Sequence, residues 1–126
     1  MNKTGKVYDL EERTAVFSEK VIELCKSMKK DIVSTPIISQ LVRAATSIGA
    51  NYCEANGASS KKDFSNKIHI YKKEAKETMY WLRILGTSTD LHKDACRLLR
   101  KEAHELALIF GKIATSSKLN NLEIKN

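Results

Sequence analysis

Apolar residues recur along this chain at alternating steps of three and four, the spacing that gathers side chains on one face of an α-helix. Leu10, Thr14, Phe17, Val21, Leu24 and Met28 form the first such seam. Asp9 and Glu12 stand ahead of it at the spacing of an N-cap and its N3 acid, so a helix over about 9–30 is predicted. Thr35-Pro36 then reads as an N-cap followed by proline at the first helical position. The second helix, 36–55, carries Ile37, Leu41, Ala44, Ile48 and Ala55 on one line and Ile38, Val42, Ala45, Gly49 and Cys53 on another, about 100° round. Two apolar lines predict burial on two sides, and Asn56-Gly57 predicts a left-handed cap.

Ser60 and Asp63 form a second capping box, opening a helix over 61–85 that turns Phe64, Ile68, Tyr71, Ala75, Thr78, Leu82 and Leu85 inward and stops at Gly86. A fourth helix, 90–115, buries Leu91, Ala95, Leu98, Leu99, Leu106, Ile109, Phe110 and Ile113. Residues 1–8 and 116–126 read as loose ends. Four helices joined by connections of about four to six residues predict an all-α fold, an antiparallel up-down-up-down four-helix bundle, because short loops make sequential helices neighbours.

A length of 126 residues allows one domain, and a single proline with five glycines excludes turn-rich all-β architecture. No apolar run reaches ten residues, so neither a spanning helix nor a signal-peptide core is expected, and the cytoplasm is the expected location. Cys25, Cys53 and Cys96 are odd in number and far apart, without a C-x-x-C pair. They are expected to be small buried hydrophobes, with no disulfide and no metal site.

A net charge of +7 changes the picture, because it makes nucleic acid or an anionic surface the first partner to consider. The excess is local: residues 60–115 hold twelve Lys/Arg against seven Asp/Glu, whereas 9–30 balances five against five. Lys62, Asn66, His69, Lys73, Lys76, Tyr80 and Arg83 form one stripe opposite the apolar seam of the third helix. Lys93, Arg97, Arg100 and His104 repeat the arrangement on the fourth. Together they offer a positive surface about 20 to 30 Å long for several phosphates, or else a face charged only for solubility. With no aromatic stacking platform evident, binding through Lys62, Lys73, Lys76, Arg83, Lys93, Arg97 and Arg100 is expected to be phosphate-driven and weakly sequence-specific.

Two further groups have chemical character. Gln40, Arg43, Ser47, Asn51 and Glu54 fall on one narrow polar strip of the second helix. That strip reads as a functional pocket or as a buried structural network, in which Arg43 needs a carboxylate and is expected to be ion-paired and largely buried. Ile70, Trp81 and Ile84 flank the third helix's seam and suggest an oligomer interface or a partner surface, or padding at the edge of the monomer core. Enzyme chemistry is not expected: no Glu-x-x-His pair, Gly-rich phosphate loop or nucleophile elbow occurs, and no cofactor is implied.

Several spaced residues also carry a resemblance. Gln40-x-x-Arg43, Ser47-Ile48, Asn51, Glu54-Ala55, Asp63-Phe64, Lys73-Glu74-Ala75 and Trp81-Leu82 resemble a bacterial four-helix-bundle family first noticed as reading frames inside intervening sequences of large-subunit ribosomal RNA genes. The resemblance implies an antiparallel four-helix fold and assembly into a homopentamer with a basic surface. A more distant branch, the accessory variability determinant of diversity-generating retroelements, is implied to bind nucleic acid and a reverse transcriptase. No catalytic motif comes with it. The expectation is a homo-oligomeric, basic protein that binds nucleic acid, RNA before DNA. The alternative is an assembly or adaptor module whose apolar flank binds a protein partner.

Overall fold

A computed structural model describes residues 9–125, with side chains as far as Ser116. Among them are four helices: α1 (Leu10–Ser27), α2 (Ser34–Ala55), α3 (Lys61–Ser88) and α4 (Lys93–Lys125). The connections between them are six, five and four residues long. Each helix packs on the one before it, as an up-down bundle requires; the α3–α4 pairing is the most extensive and the α1–α4 seam the sparsest. The core runs along the bundle axis through Phe17, Leu41, Ile48, Ile68, Leu82, Leu106 and Phe110. At one level Phe110 meets the rings of Tyr52 and Tyr71, with centroids 5.9 and 6.4 Å away.

The seams of α1 and α3 are buried as their spacing predicts, Phe64 alone being only partly covered. The two buried threonines of these seams are satisfied within their own helix. Thr14 donates to the Leu10 carbonyl at 2.6 Å and Thr78 to that of Glu74 at 2.8 Å. Both apolar lines of α2 are used inside the monomer except at Cys53, because α2 lies between α1 and α3. Gly49 belongs to the second line: a Cβ there would sit 3.0 Å from Thr14 Oγ1, so glycine is what lets α1 and α2 approach.

The structure corrects several boundaries. Helix α1 ends at Ser27 and not at 30, because the Lys30 ammonium donates to the carbonyls of Cys25, Lys26 and Met28 at 2.6, 3.2 and 3.0 Å, occupying acceptors a further turn would need. Asp9 gives that helix no side-chain cap. Helix α2 starts at Ser34, and its capping oxygen is Asp31 Oδ1, which accepts from the amides of Val33 and Ser34 at 3.0 and 2.8 Å. Pro36 therefore falls third in the helix, where its missing N–H is still one of the unpaired first-turn donors.

Neither Asn56 nor Gly57 adopts a left-handed conformation. The chain leaves α2 through right-handed turns closed by the Gly57 and Ala58 amides on the Glu54 and Ala55 carbonyls, both at 3.0 Å. Helix α3 passes through Gly86 to Ser88. Gly86 serves packing, since a Cβ there would lie 3.1 Å from Cys96 Cβ on α4. Half of the expected capping box of Ser60 and Asp63 forms, Ser60 Oγ accepting from the Asp63 amide at 3.0 Å.

The region expected to be loose beyond 115 is helical through Lys125, and no glycine or proline follows Gly111 to stop it. The expectation for 1–8 lies outside the described residues. Leu91 and Leu98, expected in the core, are 85% and 65% exposed. Leu91 precedes the first turn of α4, and Leu98 lies 100° round from the buried Leu99. Cys53, expected to be buried, is exposed. Thr14 faces Gly49 and Glu11 reaches Asn56, so Cys53, between Gly49 and Asn56, lies level with the first turn of α1.

Candidate nucleic-acid interface

Every charged residue assigned to a phosphate-binding stripe, Lys62, Lys73, Lys76, Arg83, Lys93, Arg97 and Arg100, is exposed. The antiparallel pairing of α3 and α4 brings only some of them together. Lys76 and Arg83 from α3 and Arg100 from α4 line one groove of about 480 Å³, joined by Lys72 and His104, with Met79, Tyr80, Ala107 and Leu108 as its apolar part. Farther along the same seam Lys72 and Lys112 line a shallower groove with Gly111 and Thr115. The run from Arg83 to Lys72 covers roughly 16 Å at 1.5 Å per residue.

No carboxylate lines either groove, and none of the groove cations lies within an ion pair among the described residues. Unpaired cations crowded along one channel repel each other, and a polyanion relieves that repulsion. Lys62, Lys73 and Lys93 stand outside the channel, and so does Arg97, which spends its guanidinium on Asp94 at 3.3 Å.

Sequence spacing missed Lys72 and Lys112, because each lies beside the outward stripe and turns toward the seam only once α3 and α4 are docked. His104 was placed on the stripe and not in the site. An aromatic platform is present as well: Tyr80 is 55% exposed in the groove and touches Trp81 in a T-shaped contact, ring centroids 5.0 Å apart.

The polar strip of α2 is reorganised by α3. Arg43 is ion-paired, as expected, but its carboxylates are Glu77 and, at 3.5 Å, Glu74, both on α3, and its Nε donates to Gln40 Oε1 at 3.2 Å. The expected burial of Arg43 is wrong, since 49% of its side chain is exposed. The strip runs along the open edge of the α2–α3 seam and not beneath it. Ser47 turns to its own helix, donating to the Ala44 carbonyl at 2.8 Å; Asn51 is half-buried and Glu54 exposed, and neither joins Arg43.

Glu77 ties this cluster to the aromatic pair by accepting from Trp81 Nε1 at 2.9 Å. That hydrogen bond, with Arg43, holds the Glu77 carboxyl below its ordinary range, and Glu77 in turn raises Arg43. Of the flank residues, Trp81 and Ile84 are partly buried and Trp81 packs on the core, while Ile70 stays exposed.

A different clamp closes the α1–α4 seam. Arg13 donates to both oxygens of Glu102 at 2.7 and 2.8 Å and to Glu105 at 3.0 Å, and these partners raise its pKa. Below it an open groove of about 760 Å³ lies between Val16, Phe17 and Leu24 on α1 and Ala95, Leu98 and Leu99 on α4. No helix among the described residues is long and apolar enough to cross a membrane.

Comparison with known proteins adds to this geometry. The model of the family described as 23S rRNA-intervening sequence protein matches residues 7–112. A crystal structure of a protein of unknown function from the S23 ribosomal protein family of Bacteroides thetaiotaomicron is similar in fold, with a TM-score of 0.73 and 30% identity. The match covers 82% of this chain and 96% of that one. No curated protein matches.

Proposed function

Since the chain belongs to the 23S rRNA-intervening sequence protein family, we propose that it is a basic, cytoplasmic, homo-oligomeric protein that binds nucleic acid, RNA before DNA, without catalysing a reaction on it. One observation carries this reading: the α3–α4 groove gathers Lys72, Lys76, Arg83, Arg100 and His104 with no carboxylate among its lining. The mechanism is electrostatic. Each lysine or arginine that neutralises a phosphate releases condensed counterions, so affinity falls steeply as salt rises. Preference for RNA rests on the family's description and not on a groove feature that reads a 2′-hydroxyl.

Binding of a structured RNA and of duplex DNA across a salt series tests the proposal. The expected result is a steep linear fall of log affinity with log salt, and a shallower slope for Arg83→Glu/Arg100→Glu. Binding that ignores both salt and this charge reversal would overturn it.

Assembly is supported by large apolar residues that the monomer leaves uncovered, Ile32, Leu91 and Leu98 among them. The family resemblance implies five copies. A second reading, an adaptor for a protein partner, is favoured by the same residues. Ile32, Val33 and Leu91 lie in the connections at one end of the bundle, beside a groove of about 620 Å³.

A further inference from the structure

We infer that the α3–α4 groove is a subsite for an unpaired nucleotide, its base stacked on Tyr80 and its flanking phosphates held by Lys76, Arg83 and Arg100. The inference rests on the nucleic-acid reading above and narrows it to single-stranded segments.

Tyr80 is the largest aromatic ring lining the cationic groove, which also holds the His104 imidazole, and more than half of it is exposed. A tyrosine left this open has no role in the monomer core, yet its position is restrained. Trp81 meets it at 5.0 Å with the rings 75° apart, and the Trp81 indole is itself fixed by its N–H bond to Glu77. A T-shaped contact limits rotation of the phenol without covering both faces. Stacking on a restrained ring costs less ordering than stacking on a mobile one.

Size and charge then select the ligand. A groove of about 480 Å³ is within the range that encloses a small ligand, so one nucleotide fits. A duplex presents its phosphates to the rim but keeps its base faces stacked on one another, out of reach of Tyr80. An unpaired base offers a free face, which is how RNA-binding surfaces commonly use exposed aromatic residues. An apolar protein segment is disfavoured, because covering the groove would strip water from Arg83, Arg100 and Lys76 without supplying an anion.

Trp81 is the only tryptophan in the chain and reports directly on its neighbour. The full-length protein is titrated with a mixed-sequence single-stranded RNA, its DNA counterpart and the duplex of the same sequence. The readouts are anisotropy of the labelled strand and Trp81 emission. Either single strand is expected to bind more tightly than the duplex and to change Trp81 emission, and the stronger of the two identifies the natural source.

Tyr80→Ala is expected to weaken single-strand binding by roughly 5- to 150-fold, the range for loss of one aromatic stacking platform. Tyr80→Phe, which keeps the ring, restores the single-strand preference. If Tyr80→Ala binds single strands like the parent while Arg100→Glu weakens every nucleic acid, the stacking subsite is overturned and the electrostatic groove stands. If no nucleic acid binds, or polyglutamate displaces single strands at equal concentration of charge, both readings fall.

Discussion

Cys53 differs from the other two cysteines only in where its helix face ends, and that difference is chemical. Burial pushes the Cys25 thiol up to about 11 and raises Cys96 as well, so both stay protonated and shielded at neutral pH. Cys53 is exposed. A disulfide reagent should therefore titrate one of three thiols in the native protein and all three in denaturant, and Cys53→Ser should abolish the native reaction. Glu77 also carries a testable charge effect. Its folded pKa is depressed, first by the Trp81 hydrogen bond and then by Arg43, so its contribution is complete above the ordinary carboxyl range and is lost as pH falls through the folded value. Glu77→Gln should melt below the parent at pH 7, with the gap closing below about pH 4 as the parent's carboxylate is protonated. Arg43→Leu should cost about 1 kcal/mol or less, the scale of an exposed ion pair and not of a buried one.

At the level of elements, two helix-interior glycines predict opposite outcomes. Gly49 lies against Thr14, whose hydroxyl is committed to the Leu10 carbonyl, so a larger side chain must push α1 and α2 apart. Gly49→Leu should destabilise by about 1–3 kcal/mol in a denaturant melt, as overpacking does. Gly111 faces only the far end of Lys72, whose Nζ would lie 3.4 Å from an added Cβ and can swing aside. Gly111→Ala should stabilise α4 by up to ~1 kcal/mol, the helix-propensity difference between the two residues. The same comparison explains why Gly86 does not end α3: its place in the helix is fixed by the approach of Cys96, whereas a glycine in a sequence reads equally well as a stop.

Over the whole molecule, the question is where cations collect. Arg97 and Arg100 are one turn apart on α4, but Arg97 pairs with Asp94 outside the groove and Arg100 lines it. Arg100→Glu should weaken nucleic-acid binding and flatten its salt dependence clearly more than Arg97→Glu does; equal effects would mean that the whole outer face binds. The proposed self-association needs a surface that the monomer leaves uncovered. Both apolar lines of α2 except at Cys53 are consumed by α1 and α3, so self-association has to use what the monomer leaves bare, such as Leu98 beside the α1–α4 groove. Light scattering at micromolar concentration should report an assembly in the parent and a smaller species for Leu98→Glu. A monomeric parent would remove the proposal.

Periodicity alone determined the four helices, their order and most of their buried seams, because a 3.6-residue repeat fixes which side chains share a face whatever packs against it. It also placed Lys76, Arg83 and Arg100 outside the core. Local geometry marked the Ser60 cap correctly but misplaced several helix ends, among them the end of α1, the start of α2 and the end of α3. Those depended on contacts the pattern does not encode: Lys30 reaching back to carbonyls, Asp31 capping from three residues ahead, and Cys96 pressing on Gly86. The site needed more still. Lys72 and Lys112 enter the groove, and Arg97 leaves it, because of how α3 and α4 are rotated against each other. Arg43 finds its carboxylates thirty-odd positions away, on Glu74 and Glu77. Helical spacing describes one helix at a time, whereas a groove or an ion pair between helices exists only once two of them have docked.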